Sequence, residues 1–171
     1  MNGKKQGKPV ILISRCLAGR GCRWDGSRIH FKFGAKLKKV ATLVEVCPEM
    51  EIGLGVPRAP IRVVRKRGKE LLCQPETGRD LTKAMKEYSR SAVKKMPRID
   101  GIILKGKSPS CGPGDAKVFI DLESEEPVGK TAGFFAREVM KRFPGAPLET
   151  EANLEKPGAF KDFLSRISRI R

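Results

Sequence analysis

Three cysteines stand in short turn-forming motifs: Ser14-Arg15-Cys16-Leu17, Cys47-Pro48-Glu49 and Ser108-Pro109-Ser110-Cys111-Gly112. They are spaced 31 residues (Cys16 to Cys47) and 64 residues (Cys47 to Cys111) apart. Each follows an apolar run with the composition of a strand: Val10 to Ile13, Thr42 to Val46 and Gly101 to Leu104. Thiols leaving the ends of three strands of one sheet converge on one spot. Three thiolates can hold an iron–sulfur cluster by three corners and leave the fourth iron open for a ligand. That is chemistry on sulfur.

Other polar groups flank these thiols. Glu49, two residues after Cys47, is a general base for water if it lies beside a partly desolvated metal centre, and otherwise a surface glutamate at a strand end. Ser108 and Ser110 bracket Pro109; a hydroxyl there either relays a proton and orients a ring carbonyl or simply forms the turn. Asp25 follows Trp24 and precedes Gly26, so it binds a substrate N–H or does ordinary turn work. Trp24 stacks on a base or packs in the core. Arg58 lies in a Gly/Pro loop close in sequence to Glu49, a position suited to a phosphate or a base oxygen.

The two remaining cysteines carry less. Cys73 sits in Glu70-Leu71-Leu72-Cys73-Gln74 and reads as a small buried apolar residue. Cys22 lies in a glycine-bearing loop. No Cys-x-x-Cys occurs, and His30 is the only histidine. A cysteine-nucleophile hydrolase is therefore a weak reading, since such a thiol needs a base beside it.

The elements that must position these residues follow an α/β pattern. Ile61–Lys66 and Glu70–Gln74 flank Arg67-Gly68-Lys69 as a β-hairpin. A helix is expected from Leu81 to Lys95, with Leu81, Ala84, Met85, Tyr88 and Ala92 on one face, Asp80 as its N-cap and Pro97 at its end. Lys36–Ala41 is a short helix, Lys117–Asp121 a strand, and Lys130–Phe143 a helix ending at Pro144-Gly145. Strands alternating with helices imply a three-layer α/β fold with a mostly parallel sheet, a small hairpin insertion and a C-terminal amphipathic helix. Ligands in such sheets bind beyond the carboxyl ends of the strands. The organisation expected is a disordered basic lead (1–8), one α/β domain (9–150) and a basic amphipathic helix (151–171). In that helix Phe160, Phe163, Leu164 and Ile167 recur at the helical period, for docking on the domain or for contact with RNA.

At 171 residues the chain is long enough for one domain with its own core. It carries 36 Lys and Arg against 19 Asp and Glu, a net charge of +17, a field that favours polyanions or phosphate-bearing substrates. The apolar run after Lys8 is shorter than the roughly 7–15 residues of a secretory signal, and no stretch nears the roughly 18 residues of a membrane span. A cytoplasmic protein without a disulfide framework is expected.

Taken in order, Ser-x-Cys-Leu, Cys-Pro-Glu, Pro57-Arg58-Ala59-Pro60 and Leu-Lys-x-x-Ser-Pro-Ser-Cys-Gly resemble the thiouracil desulfidase family from about Val10 to Glu149. The stretch from Cys47 to Arg58 is particularly similar to the branch acting on 4-thiouridine in transfer RNA. The resemblance implies a 4Fe-4S cluster on Cys16, Cys47 and Cys111, with Glu49 and Ser108 as the catalytic pair. It implies hydrolytic loss of sulfur from a thiolated uracil base, nucleotide or tRNA, with no electron donor and no obligate protein partner. Two features depart from the family. The transfer-RNA branch carries a second, helical domain, whereas this chain stops at Arg171, and Trp24 replaces another aromatic. Cys22 matches a cysteine found in only part of the family. The competing reading is an RNA-binding module whose cysteines are structural or bind zinc.

Overall fold

A computed structural model describes residues 7–171. The expected basic lead therefore falls mostly outside the described residues. Nine strands and six helices follow in chain order among those residues. The strands are β1 (Val10–Ser14), β2 (Thr42–Val46), β3 (Arg62–Lys66), β4 (Lys69–Gln74), β5 (Arg79–Asp80), β6 (Gly101–Leu104), β7 (Ala116–Phe119), β8 (Gly129–Thr131) and β9 (Leu148–Thr150). The helices are α1 (Gly34–Val40), α2 (Pro48–Glu51), α3 (Thr82–Lys95), α4 (Phe134–Arg142), α5 (Glu151–Leu154) and α6 (Ala159–Arg169).

The first sheet is wholly parallel, in the order β2-β1-β6-β9. Its central strands β1 and β6 are short apolar runs because both faces are covered. Side chains alternate across a strand, so Ile11, Ile13 and Ile103 face α1 and α6, where they meet Leu37, Phe160, Phe163 and Ile167. Leu12, Ile102 and Leu104 face the other way, toward Val93 of α3 and Phe135 and Val139 of α4. This is the three-layer arrangement expected from the sequence.

The hairpin proves to be more than an insertion. Strands β3 and β4 pair antiparallel, and β3 also pairs in parallel with β7, making a second sheet in the order β5-β4-β3-β7-β8. Val63, Leu72 and Val118 of this sheet pack on Leu81, Met85 and Phe134. Helices α3 and α4 thus lie between two sheets. The sequence conceals this because β3 and β7 are far apart in the chain and each is too short to announce a partner.

Other boundaries shift for local reasons. The helix expected from Lys130 begins at Phe134, because residues 129–131 pair with β7 as β8. Helix α3 starts at Thr82, and Asp80 caps it from one position further out, accepting the Thr82 N–H at 2.8 Å. Helix α6 docks on its own domain: Phe160, Phe163 and Ile167 are buried, and Phe160 stacks on Phe33 with centroids 4.0 Å apart. It can come this close because Gly101 has no side chain; a Cβ there would lie 2.5 Å from Ile167 Cδ1.

Glu70 ties the second sheet to α4. It accepts from Arg65 at 3.0 Å, from Thr131 Oγ1 at 3.1 Å and from Arg137. Burial pushes its carboxyl up, but Arg65, Arg137 and Thr131 outweigh this and hold it below the usual carboxylate range. A depressed carboxyl stabilises the fold above its unfolded pKa of about 4.3, and that stability is lost as the pH falls through the folded value. Glu70→Gln should therefore cost roughly 1–3 kcal/mol at pH 7, the scale of a hydrogen bond to a charged group. The gap from wild type should close below about pH 4 in thermal melts. A gap that stays constant down to pH 3 would remove Glu70 from the acid transition.

Candidate active site

Parallel register brings the three strand ends to one level. Ser14 lies opposite Val46, and Ile13 opposite Ile103. Beyond these ends the chain breaks into a single-turn helix over Arg15–Ala18, the short α2 and the 105–115 loop. Between them is a cavity of about 310 Å³ lined by Ser14, Cys16, Cys22, Glu49, Arg58, Ser108, Ser110 and Cys111, with Ile29, Val46, Pro60 and Ile61 as apolar wall. Cys47 stands just behind, buried, its thiol donating to the Cys22 carbonyl at 3.7 Å.

The Ser-Pro-Ser-Cys loop is held by two devices. The Ser108 hydroxyl accepts the N–H groups of Ser110 (3.3 Å) and Cys111 (3.0 Å), a turn closed by a side chain. The start of α4 then docks on the loop. Phe134 N–H donates to the Pro109 carbonyl, and Phe135 and Ala136 N–H to that of Ser110, at 3.0–3.1 Å. These N–H groups have no partner inside their own helix, so the loop completes the helix and the helix immobilises the loop.

A polar chain crosses the cavity. Ser110 Oγ, 1% exposed as a residue, donates to Glu49 Oε1 at 2.8 Å and lies 3.0 Å from Ser108 Oγ. The other carboxylate oxygen, Oε2, accepts from Arg58 Nε at 2.8 Å. Arg58 also donates through Nη1 to the Gly55 carbonyl (2.7 Å) and through Nη2 to the Cys22 carbonyl (3.0 Å). All three nitrogens of Arg58 have protein acceptors, and its side chain is only 4% exposed. The donors of Arg58, expected to serve a phosphate or a base oxygen, are taken up here by Glu49 and two backbone carbonyls.

Asp25 is not brought into the cavity. Its Oδ1 holds the Ser27 N–H and hydroxyl at 3.0 and 2.7 Å, which is the turn alternative. Trp24 lines the cavity and is 44% exposed, so it is not a core residue. Cys73 is buried in β4, away from these groups. Along the hairpin of β3 and β4, Arg62 donates to the Leu122 and Ser124 carbonyls and Arg65 pairs with Glu70, leaving Lys66, Arg67 and Lys69 exposed at its tip. Five polar residues of the cavity escaped the sequence reading of the site: Ser14, Cys22, Arg23, Lys105 and Lys107. Ser14 and Lys107 lie inside the quoted motifs, and that proximity was the available signal.

Cys22, Cys47 and Cys111 are held neutral. Burial pushes the Cys111 thiol up to about 12. The adjacent Cys22 thiol, with burial, pushes Cys47 far above its ordinary value, and the adjacent Cys16 thiol raises Cys22. A soft metal centre would take these sulfurs as thiolates and release their protons. A tetrahedral zinc needs its sulfurs within about 4 Å of one another. Among the described residues no three His, Cys, Asp or Glu side chains are gathered as a single-ion site. An iron–sulfur cluster spreads its thiolates over separate irons, and sulfur donors around one cavity fit that donor set.

A sequence model described as 2-thiouracil desulfurase matches residues 11–151. The chain belongs to the 2-thiouracil desulfurase family. The uncharacterized protein YbbK of Bacillus subtilis (strain 168) is 32% identical over 112 residues, 61% of this chain and 74% of that protein. The solved structure of TudS, a [4Fe-4S]-dependent thiouracil desulfidase, superposes with a TM-score of 0.62 at 26% identity, covering 92% of this chain and 99% of that one. The family's parallel sheet flanked by helices is the architecture described above. Among the described residues no helix is long and apolar enough to cross a membrane.

The docking of α4 on the loop makes Gly133 a sensitive point. A Cβ there would lie 2.5 Å from the carbonyl carbon and oxygen of Ser110 and 2.9 Å from Cys111 N, and backbone atoms cannot rotate away. Gly133→Ala should lower stability by about 1–3 kcal/mol, the usual cost of overpacking. It should also displace Ser110 and Cys111, so the labelling rate of the Cys111 thiol should rise as the melting temperature falls. Unchanged values of both would mean that the contact yields without cost.

Proposed function

We propose that this desulfurase-family chain removes sulfur from thiolated uracil derivatives by hydrolysis, using a 4Fe-4S cluster held by Cys16, Cys47 and Cys111. The observation that carries the reading is the Ser110–Glu49–Arg58 chain, set in the same cavity as the thiols. The [4Fe-4S] dependence of TudS supports the cofactor. When bound, the cluster supplies an open Lewis-acidic iron for the thiocarbonyl sulfur.

The chain's own residues do the rest. Trp24 stacks on the pyrimidine at the mouth, and the walls of Ile29, Val46 and Ile61 exclude bulk water around the ring. Glu49 accepts a proton from the water that attacks the ring carbon. Arg58 fixes one of its oxygens and Ser110 the other, so the carboxylate cannot turn from its target. Ser110 touches Glu49 directly, and Ser108 stands one hydroxyl further back. This pair can return the proton to the ring oxygen or nitrogen as hydrosulfide leaves. Water enters, the C–S bond is replaced by C–O, and no electron is transferred. Lys107 and Arg23 on the cavity lining are the cations a phosphate on a nucleotide or tRNA substrate would meet.

Two experiments test this. Replacing Cys16, Cys47 or Cys111 by Ala should abolish iron binding in anaerobically reconstituted protein, whereas Cys73→Ala should keep it; full iron in Cys111→Ala would overturn the ligand set. Glu49→Gln should keep the cluster and lose about 10²–10⁴ in turnover of 2-thiouracil, 4-thiouridine monophosphate or thiolated tRNA, the scale of a lost general base. Arg58→Ala should follow it in direction, with a smaller loss. Near-normal turnover in Glu49→Gln would move the base elsewhere.

A further inference from the structure

The three thiol-bearing turns are not held alike. Cys47 and Cys111 are buried, and the Cys111 turn is pinned by backbone hydrogen bonds from α4. Cys16 is half-buried. Leu17 and Ala18 anchor the inner side of its single-turn helix in the core. Its outer side is fastened by charges. Arg15 Nη2 donates to Glu51 Oε1 at 2.6 Å, Arg20 Nε donates to Glu45 Oε2 at 3.3 Å, and Lys38 Nζ donates to the Ala18 carbonyl at 2.8 Å. The two arginines lie one residue before and four residues after Cys16, and the two glutamates lie two before and four after Cys47. Both ion pairs therefore join the same two turns, flanking both cysteines in sequence.

Neither pair is strongly buried: the Arg15 side chain is 29% exposed and that of Arg20 66%. Exposed pairs add little to global stability, because water already serves both charges. Neither arginine lines the cavity, so neither meets the substrate. What these pairs set is the distance between two turns. Resting on the ligand set proposed above, we propose that Arg15 and Arg20 are positioning residues. With Glu51 and Glu45 they clamp the Cys16 turn onto the Cys47 arm and fix the span across which these two thiols share one cluster. A guanidinium suits the task because its planar fork is pre-organised toward a carboxylate. The β1–β2 ladder ends with Ser14 opposite Val46, and beyond it the clamp takes over from the sheet. Salt screens exposed charges, so Cys16 is the ligand whose placement responds to ionic strength.

The test uses full-length protein kept free of oxygen: wild type, Arg15→Met/Arg20→Met, Arg15→Glu, and the charge swap Arg15→Glu/Glu51→Arg. Metal-free protein is treated with dibromobimane, which joins two thiols, and mass spectrometry gives the ratio of Cys16–Cys47 bridge to singly labelled Cys16. A loosened turn spreads that distance and lowers the effective concentration of one thiol at the other. The ratio should fall about fivefold in the double variant, the change that corresponds to roughly 1 kcal/mol. The melting temperature should drop by no more than about 4 °C. Arg15→Glu should also lower the ratio, and adding Glu51→Arg should restore most of it, a rescue that a general loss of stability would not show. In wild type, salt at about 1 M, where the screening length is roughly 3 Å, should lower the ratio toward that of the double variant. After anaerobic reconstitution the double variant should lose iron to EDTA about tenfold faster than wild type, the lower end of the effect of deleting an outer support of a metal site. A bridging ratio that ignores the double substitution, the swap or the salt would overturn the clamp, and so would equal iron loss. Wild-type protein that takes up no cluster would overturn the desulfidase reading instead, with the clamp still decided by bridging in metal-free protein.

Discussion

Everything at this site depends on the parallel hydrogen-bonding of β1 with its two neighbours. The ladder fixes Ser14 opposite Val46 and Ile13 opposite Ile103, so three separate stretches of chain stop at one level and turn outward together. Parallel strands require crossovers, and the crossovers deliver the helices that cover both faces. A one-residue slip of β1 would exchange Leu12 with Ile11 and Ile13 between the two cores and move Cys16 off its level. The register is therefore set by burial on both faces, and the position of the chemistry follows from it.

A second layer of organisation joins polar groups that the sheet only brings near. Ser110 reaches Glu49 across 61 residues, and Arg58 spans the gap from Glu49 to the Cys22 backbone. Each member satisfies another member's hydrogen-bonding capacity, as buried polar groups must. The result is a carboxylate with both oxygens engaged beside neutral, desolvated thiols. A soft metal centre bound there would take the sulfurs as thiolates and release their protons.

The basic surplus divides along the same lines. Several arginines are occupied within the fold: Arg58 by Glu49, Arg62 by two carbonyls, Arg65 and Arg137 by Glu70. They hold loops and sheets in place. The charge left for a polyanion is carried by exposed residues such as Lys66, Arg67, Lys69 and Lys107.

Much of the first sheet was legible in the sequence, since Val10–Ser14, Thr42–Val46 and Gly101–Leu104 are apolar runs punctuated by turn residues, and α3 and α6 show helical periodicity. The cysteine motifs were legible too, because their chemistry lies in residue type and local spacing. The second sheet was not, because β3 pairs with β7 through short strands distant in sequence, and β8 replaces the first turn of an expected helix. Nor could the sequence show that Arg58 would turn inward, that Asp25 would close its own turn, or that Cys22 would stand beside Cys16 and Cys47. Local pattern determines which segments are strands and which residues can do chemistry. Which side chain meets which is decided by tertiary packing, because a buried polar or sulfur atom takes the partner that the folded chain places within reach.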